Sequence, residues 1–572
     1  MAVENVEIAR LLDRVADLLE IEAANPFRVR AYRNAARIVR GLPRPISERI
    51  AAGEGVPRLP GIGKDLAGKI EEIVASGRLG LLDEIERRTS PELAELLAIP
   101  GLGPKRVRLI RDRLGVSTLA ELGRAARRGA VRELPGLGVK TEQSILAALA
   151  RRPAPAGRVR WSDAEPVARS LVEHLRATPG VDRVEVAGSF RRRSPTLGDL
   201  DLLVACAEGS PVIERFAAHP EVAEVLARGT TRSTVRLRSG LQVDVRVVAP
   251  ESYGAALHYF TGSKAHNIAV RRLGVRRGLK INEYGVFRGA RRIAGATEEE
   301  VFRCVGLPYI EPELREERGE IEAARAGRLP RLVASEDLRG DLHARSPAGG
   351  GRSTLDDWAE GARRLGWSYL AVADPVERAG AGGQGPRELA RQLRRIERWN
   401  AKRTGFVLLK SADVEILEDG SLDLPDEILA ELDVAIGSLR ADFGLSGRQQ
   451  TARLLRALEH PRLHVLADPT GRLLATRGGW ALDLERVLDA AAESGCGLEL
   501  GAGPDRADVP EVWCRLAKER GVRVAISSEA RAAGELERMR LGVAQARRGW
   551  LEAGDVINAR SWAGARKLLR SR

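Results

Sequence analysis

Two closely spaced aspartates on a short apolar run constrain this chain more than any other feature. The run Asp199-Leu200-Asp201-Leu202-Leu203-Val204 has the residue types of a β-strand. Side chains alternate between the faces of a strand, so Asp199 and Asp201 are expected on one face, about 7 Å apart. Carboxylates this close repel each other unless cations lie between them. The pattern predicts a site for two metal ions, as used for in-line phosphoryl or nucleotidyl transfer.

A third carboxylate and a basic turn accompany the pair. In Leu241-Gln242-Val243-Asp244-Val245 the valines are expected to face a core and Asp244 the opposite side. The apolar run 184–187 leads into Gly188-Ser189-Phe190-Arg191-Arg192-Arg193. Backbone N–H groups at Gly188 and Ser189 could meet a triphosphate, and the arginines supply countercharge. Alternating aspartates alone would fit a polar strand face, whereas the whole set favours a nucleotide site.

At these residues the chain closely resembles the family X DNA polymerases, within the nucleotidyltransferase superfamily. The resemblance continues at Tyr259-Phe260-Thr261-Gly262-Ser263 and at Gly278-Leu279-Lys280-Ile281-Asn282-Glu283-Tyr284, which looks like the family's thumb. It spans most of residues 1–315. One departure is Arg193, which stands where the family usually has glycine, so the geometry of the triphosphate turn is expected to differ.

The resemblance implies a role for each matching residue. Asp199, Asp201 and Asp244 would hold two Mg²⁺ or Mn²⁺ ions. Gly188, Ser189 and Arg192 would bind the triphosphate. The sugar pocket would be formed by Tyr259, Phe260 and Gly262. Asn267 would meet the base at its minor-groove edge, and Arg271 the template strand.

A short motif appears three times near the N-terminus, each time before a helical pattern. The copies are Leu59-Pro60-Gly61-Ile62-Gly63-Lys64, Ile99-Pro100-Gly101-Leu102-Gly103-Pro104-Lys105 and Leu134-Pro135-Gly136-Leu137-Gly138-Val139-Lys140. They resemble the helix-hairpin-helix motif, whose glycines expose amides at a helix N-terminus, where a DNA phosphate can bind without sequence readout. A plain turn between helices is the alternative for one copy, but three copies with lysines favour DNA binding. The predicted DNA-contact residues are Gly61, Gly63, Lys64, Gly101, Gly103, Lys105, Gly136, Gly138 and Arg271.

Lys69 follows the first hairpin and matches the position that forms a Schiff base in family members that excise 5′-deoxyribose phosphate. A lyase lysine must be partly deprotonated, and the cations Lys64, Arg33 and Arg30 would favour that state. A phosphate contact or a solvated helix face is the alternative for this single lysine.

The C-terminal part resembles the PHP phosphoesterase domain of bacterial members, a distorted (β/α)7 barrel that holds about three metal ions in the family. Apolar segments such as 369–373 and 522–526 alternate with helical stretches, which predicts a parallel barrel. The ligand positions have changed, however. They read His343, Arg345, Pro375, Asp413, Arg440, Asp468, Glu529 and Arg531.

Guanidinium has no lone pair for a metal and stays protonated, so these arginines cannot replace histidine ligands. We expect them to form ion pairs with the remaining acids, and we expect no metal in this barrel. The favoured interpretation is a structural domain without catalysis. An active 3′–5′ exonuclease and a repurposed anion or DNA site are the alternatives.

Composition limits the partners and the compartment. The net charge of +14 indicates a polyanionic partner. The four cysteines are scattered without a CxxC pair, which indicates neither a zinc site nor a disulfide framework. With neither a signal peptide nor a long apolar run, a cytoplasmic, nucleoid-associated monomer with no membrane contact is expected.

The sequence thus predicts a multidomain α/β protein. Its expected parts are a helical lyase-like domain, helix-hairpin-helix fingers, a nucleotidyltransferase palm, a thumb, a linker and a PHP-type barrel, at 1–80, 81–152, 158–250, 251–315, 316–333 and 334–572. The predicted function is template-directed filling of short gaps in DNA repair, with dNTPs and gapped or primer-template DNA as substrates. A non-catalytic DNA-binding scaffold and a template-independent nucleotidyltransferase remain alternatives.

Overall fold

The structure, a computed structural model, divides into two compact units, Met1–Ala156 and Gly157–Arg572. It describes residues 5–22, 24–40, 42, 46–51, 55–56, 61–88, 96, 99, 102–150, 158–345, 353–376, 385–440, 444–474, 479, 482–506 and 509–569. The boundary between the units falls in the segment 153–157 that the sequence predicts as a linker, and that segment lies outside the described residues.

The first unit is helical. Its helices are α1 Asn5–Ile21, α2 Pro26–Arg40, α3 Ile46–Ala51, α4 Lys64–Ser76, α5 Gly80–Arg88, α6 Pro104–Leu114, α7 Leu119–Arg127 and α8 Val139–Ala150. Apolar residues at helical spacing on α1, such as Ile8, Leu12 and Leu19, are buried in one core with residues from the later helices. Burial of these apolar stripes is what stabilises short helices of this kind.

Two of the three repeated motifs show matching backbone geometry. Gly63 caps α4 with φ −81° and ψ 173°, and Gly103 caps α6 with φ −81° and ψ 169°. The earlier glycines of the first and third copies, Gly61 and Gly136, have φ of +92° and +76°, a conformation that favours glycine. Gly101, the equivalent residue of the second copy, lies outside the described residues.

The second unit begins with the palm. Its elements are β1 Val159–Arg160, α9 Trp161–Arg176, β2 Val181–Val186, α10 Gly188–Arg191, β3 Thr196–Leu197, β4 Asp199–Cys206, α11 Gly209–Ala217, β5 Val222–Arg228, β6 Arg232–Leu237 and β7 Gln242–Val248. Five strands form a mixed sheet in the order β2-β4-β7-β6-β5. Strands β4 and β7 are parallel and the other pairs antiparallel. Alternate residues of β4 and β7 face a core with helices α9 and α11.

A small helical and three-stranded region follows. It contains α12 Tyr253–Thr261, α13 Lys264–Arg276, β8 Lys280–Asn282, β9 Gly285–Arg288, β10 Arg291–Ala294, α14 Glu298–Cys304 and α15 Glu320–Arg325. The segment 316–333, predicted as a linker, is not an open connection. Ile321 and Ala324 join the core of this region, and buried Glu320 lies 2.7 Å from Nδ1 of His266. Its alanine and isoleucine form the buried stripe of the short helix α15.

The remaining residues form parallel strands that alternate with helices. The strands are β11 Gly340–Ala344, β12 Tyr369–Val372, β13 Pro375–Val376, β14 Val407–Leu409, β15 Ser411–Glu415, β16 Val434–Ser438, β17 Val465–Leu466, β18 Gly497–Gly501 and β19 Val524–Ser527. The helices are α16 Leu355–Arg364, α17 Pro386–Asn400, α18 Asp426–Leu429, α19 Gly447–Leu458, α20 Leu484–Ser494, α21 Glu511–Glu519, α22 Met539–Arg548 and α23 Trp562–Leu569.

The strand order brings the first and last strands of this region together. One sheet runs β11-β12-β14 and the other β13-β15-β16-β17-β18-β19, with β14 and β15 nearly continuous. The backbone of Glu529, just after β19, donates to the carbonyl of His343 on β11 at 3.0 Å. The strands therefore close on themselves like a barrel, and their C-terminal ends gather polar residues from several strands.

In the part of the chain that the structure describes, every helix is too short or too polar to span a lipid bilayer.

Candidate active site of the palm and the barrel cluster

The three predicted carboxylates of the palm lie on neighbouring parallel strands. Asp201 on β4 is paired in register with Asp244 on β7, and Asp199 is paired with Gln242. All three aspartates line one cavity of about 330 Å³, together with Gln242, Arg232, Arg246 and Phe260. The leucine and valine neighbours of the aspartates face the core, so the alternation of the two strands delivers the acids to one surface.

The acids differ in how they are held. Asp244 accepts a hydrogen bond from Gln242 Nε2 at 2.8 Å and one from Thr234, while Arg232 lies 3.6 Å away. Burial, reinforced by the charges of Asp199 and Asp244, raises the pKa of Asp201 to about 7. Burial and Asp244 also raise the pKa of Asp199. Such uncompensated negative charge is the electrostatic condition in which a bound cation is stabilising.

The glycine-serine turn lies directly against these acids. Gly188 has φ +62°, and a Cβ there would lie 2.3 Å from Oδ2 of Asp201. Only glycine allows both this backbone conformation and this close approach. The turn and the carboxylates, which are separate motifs in the sequence, therefore form one site.

Arg192 is held by the region that follows the palm. It donates to the carbonyl of Thr261 and, through Nε, to Glu316 Oε1 at 3.0 Å. A Cβ on Gly262 would lie 3.2 Å from Nη1 of Arg192, so Arg192 packs against the glycine of the predicted sugar pocket. The neighbouring Arg193 has φ +54°, the left-handed conformation that explains a glycine at this position in the family, and it lies 3.0 Å from Glu313.

The predicted sugar and base residues lie on α12 and α13. Tyr259 and Phe260 pack edge to face, with Arg271 over the Tyr259 ring at 5.1 Å and Arg246 over the Phe260 ring at 5.2 Å. Asn267 donates to the carbonyl of Tyr259 at 2.7 Å, and its Oδ1 has no hydrogen-bond partner among the described residues. These side chains form a connected group beside the carboxylate cavity, in which Phe260 is shared.

Sequence reasoning missed several members of this site. Gln242 and Arg246 lie two residues before and after Asp244, so the alternation of β7 could have identified them. Thr234 stands opposite Asp244 on β6, the strand before β7, a pairing that depends on the register of the two strands. Glu316 comes from a distant segment, and no local pattern connects it with Arg192.

Lys69 lies on α4 in surroundings that differ from the expected ones. Its amine forms an ion pair with Asp65, one helical turn earlier. Arg33 pairs with Asp17 and with Glu20 across α1 and α2. Lys69 is thus paired with a carboxylate of its own helix, and Arg33, one of the three cations expected nearby, pairs with acids of α1.

The barrel-like region contains a cluster of arginines and acids at the ends of its strands. Arg345 Nη2 lies 3.3 Å from Asp413 Oδ2, and Arg440 Nη1 lies 3.6 Å from the same oxygen. Burial would raise the pKa of Asp413, but Arg440 and Arg345 outweigh it and lower that pKa. The sequence-based prediction that Arg345 or Arg440 forms an ion pair with Asp413 is confirmed. Pro375 lies beside Asp413 in the register of β13 and β15.

The lone pair of His343 is also engaged. Arg345 donates through Nε to Nε2 of His343 at 3.2 Å, and Nδ1 of the same ring lies 2.8 Å from Glu499. A ring nitrogen that accepts a hydrogen bond cannot bind a metal with the same lone pair. The ring is therefore held between a guanidinium and a carboxylate.

The other predicted members divide into two groups. Asp468 and Glu529 both contact Arg506, which lies 3.5 Å from Glu529 and forms a shorter ion pair with Asp468. Burial, together with neighbouring acids, raises the pKa of both carboxyls despite Arg506. Arg531 is exposed and lies outside the cluster, because its backbone bonds to Glu535 and its side chain points to solvent. No sequence signal pointed to Arg506 or Glu499.

Three acids on adjacent strands of the palm, a glycine-serine turn against them and a following aromatic pair form the arrangement expected of a nucleotidyl-transfer site. Residues 256–316 match the family described as DNA polymerase beta thumb. Residues 3–79 match a helix-hairpin-helix domain, and residues 93–151 a SAM-like helix-hairpin-helix tandem.

The chain is 34% identical over 560 residues to "DNA polymerase/3'-5' exonuclease PolX" of Bacillus subtilis (strain 168), covering 97% of each protein. It is 26% identical over 342 residues to DNA polymerase lambda of Rattus norvegicus, covering 54% of this chain and 56% of that one. A third relative, named "Probable phosphatase TTE1963" in Caldanaerobacter subterraneus, is 32% identical over 138 residues, covering 22% of this chain and 51% of that one. This chain belongs to the family X DNA polymerases.

Proposed function

We propose that this polymerase adds dNTPs to a primer 3′-hydroxyl on gapped DNA under template direction, using the palm carboxylates. The observation that carries the proposal is the register that pairs Asp201 with Asp244 and brings Asp199 to the same cavity. Acids on adjacent parallel strands that face one cavity are what in-line nucleotidyl transfer requires.

The donor set suits hard divalent cations. Carboxylate oxygens are the ligands that Mg²⁺ and Mn²⁺ prefer. Burial, and after it the charges of Asp199 and Asp244, raises the pKa of Asp201, and a bound cation would stabilise the ionised form. Asp199, Asp201 and Asp244 would hold two such ions. When bound, the ions would lower the pKa of the primer 3′-hydroxyl and neutralise triphosphate charge.

The chain's own groups would bind and orient the nucleotide. Ser189 and Arg192, on the turn against Asp201, would bind the triphosphate. Tyr259, Phe260 and Gly262 would fill the space that a ribose 2′-hydroxyl needs. At the minor-groove edge of the incoming base, the second N–H of the Asn267 amide would donate to the N3 or O2 acceptor, and Arg271 would contact the template strand.

The helical unit would hold the DNA. The exposed amides at Gly63, Gly103 and Gly138 begin α4, α6 and α8, and helix N-termini bind phosphate through these amides and the helix dipole. A 5′-phosphate at a gap fits such a site. Lys69 is a candidate for 5′-deoxyribose-phosphate lyase chemistry, on condition that DNA binding displaces Asp65 from its amine.

We also propose that the barrel-like region is a PHP-type domain without nuclease activity. The cluster has arginines at positions where metal ligands are expected, and His343 has its lone pair engaged by one of them. The alternative, an active 3′–5′ exonuclease, is favoured by the name of the Bacillus relative. A side-chain network of this kind would instead maintain the fold of the barrel.

Primer extension distinguishes the remaining candidates. Each dNTP is supplied singly with Mg²⁺ to a one-nucleotide gap and, separately, to the unannealed primer. We expect incorporation opposite the complementary template base alone. Incorporation of all four dNTPs on the single strand would indicate a template-independent transferase. A lack of incorporation on either substrate, with DNA binding intact, would indicate a scaffold.

A further inference from the structure

Arg548, the last residue of the barrel helix α22, contacts the palm. Arg548 Nη1 donates to the backbone carbonyl of Arg192 at 2.8 Å and to Glu316 Oε1 at 3.1 Å, while its Nη2 donates to Glu511 Oε1 at 2.9 Å. Its side chain is 4% exposed. A single guanidinium thus joins the nucleotide turn, the last residue of the thumb match and the barrel helix α21.

The same Glu316 oxygen holds the side chain of Arg192. Arg192 Nε donates to Glu316 Oε1 at 3.0 Å, so the carboxylate lies between Arg192 and Arg548. Arg192 is therefore fixed at two points: its carbonyl by Arg548 directly, and its guanidinium through Glu316. Buried, charge-assisted bonds of this type restrict rotamers more than surface ion pairs do.

A second connection runs beside the first, through residues close to those of the first in the sequence. Arg193 lies 3.0 Å from Glu313 Oε1, and Arg547 Nε donates to the same oxygen at 2.6 Å. Glu313 is 4% exposed. The left-handed backbone of Arg193, unusual outside glycine, is thus accompanied by a buried ion pair that leads to the barrel.

We infer that Arg548 and Arg547 are positioning residues for nucleotide binding: through Glu316 and Glu313 the barrel holds the turn that carries Ser189 and Arg192. This inference rests on the proposed function, because it assigns that turn to the triphosphate. It gives a barrel without nuclease chemistry a role in synthesis. A side chain 1 Å out of place at a binding turn is enough to lower affinity markedly.

The test is a kinetic cycle on the full-length protein with a one-nucleotide gap. Arg548→Met keeps an unbranched apolar stem but removes the guanidinium and its three hydrogen bonds. We expect the KM for dNTP to rise about tenfold, with kcat changed less and DNA affinity unchanged. In an Arg192→Ala background the same substitution should raise the KM clearly less than tenfold, because the guanidinium that Arg548 positions through Glu316 is gone and only the contact to the backbone carbonyl at 192 remains.

A matched control lies beside the same helix. Arg538→Ala removes an arginine whose ion pair, with Glu535 at 2.7 Å, lies within the barrel region. It should leave the KM for dNTP unchanged. An unchanged KM in folded Arg548→Met, or an equal rise in the Arg192→Ala background, would overturn the inference.

Arg193→Gly is a second variant that tests the same inference if Arg548→Met does not fold. Glycine suits the φ of +54° at this position, and Glu313 keeps Arg547 as a partner. We expect its melting temperature to be retained and its dNTP KM to rise about threefold. If Arg548→Met does not fold, an unchanged KM in Arg193→Gly overturns the inference. Normal incorporation by Asp201→Asn would instead refute the proposed function itself, which separates the two failures.

Discussion

Asp201 and Asp244 stand opposite each other on the parallel strands β4 and β7, although 43 positions separate them in the chain. Their register brings two acids together at a turn that only glycine at 188 permits. The same turn also carries Arg192, whose backbone carbonyl is bound by Arg548 of the barrel.

Asp201→Asn should abolish nucleotide incorporation and leave DNA binding nearly unchanged. The substitution removes a metal ligand but no phosphate contact. Single-turnover extension with saturating Mg²⁺, beside a binding titration on the same gapped DNA, measures both. Asp182→Asn, an exposed acid of the same sheet, serves as the control. Robust extension by Asp201→Asn would remove the assignment of this site.

Lys105→Ala should weaken DNA binding to a similar degree for all sequences. Lys105 is exposed in the first turn of α6, next to the amides that begin this helix. Loss of one phosphate contact reduces the slope of log K against log salt by about 1. Titrations of two unrelated gapped duplexes between low and moderate salt measure this slope. A sequence-dependent loss, or an unchanged slope, would show that Lys105 does not contact phosphate.

Lys69→Ala should abolish borohydride trapping on a 5′-deoxyribose-phosphate substrate, if this lysine is the Schiff-base nucleophile. Asp65→Asn should increase trapping, because it removes the carboxylate that pairs with the amine. Lys64→Ala, which changes another lysine of the same hairpin, should reduce DNA affinity and preserve the adduct. Undiminished trapping in Lys69→Ala would assign the chemistry to another amine.

Glu298→Gln should destabilise the protein at neutral pH far more than in acid. Burial works against the charge of Glu298, but Arg315 and Arg191 outweigh it and lower its pKa from 4.5 to about 2. A carboxyl whose folded pKa is depressed contributes stability above its unfolded pKa, and this contribution is lost as the pH falls from about 4.5 to about 2.

Thermal melts at pH 7 and pH 3 measure this difference. Breaking a buried charge network costs about 3–5 kcal/mol, so the melting temperature should fall clearly at pH 7 and less at pH 3. The exposed neighbour Glu299→Gln should have little effect at either pH. An equal loss at both pH values would show that the ion pairs of Glu298 do not stabilise the fold.

Local patterns predicted the parts of this structure that depend on alternation and helical period. Side chains alternate along a strand, which places Asp199, Asp201 and Asp244 on one face of the sheet. The glycines of the repeated motifs could be predicted because the turns before these helices need backbone conformations that favour glycine. The pairing of Arg345 and Arg440 with Asp413 also followed from the need of buried acids for partners.

Other features depend on contacts between distant segments, which local patterns do not encode. Arg548 lies 356 residues from the carbonyl that it binds. Arg506 takes the place expected for Arg531 because the chain after β18 returns to the cluster while Arg531 points to solvent. The burial of Glu320 against His266 likewise turned a predicted linker into part of the fold.

The most direct test of this account follows one end-labelled primer in a gapped duplex, with Mn²⁺ and with or without dNTPs. If the palm synthesises DNA, the primers should be extended when dNTPs are present. If the barrel has no nuclease activity, the primers should keep their full length when dNTPs are absent. His343→Ala should leave both patterns unchanged. Shortened primers in the wild-type protein that disappear in His343→Ala would contradict the account.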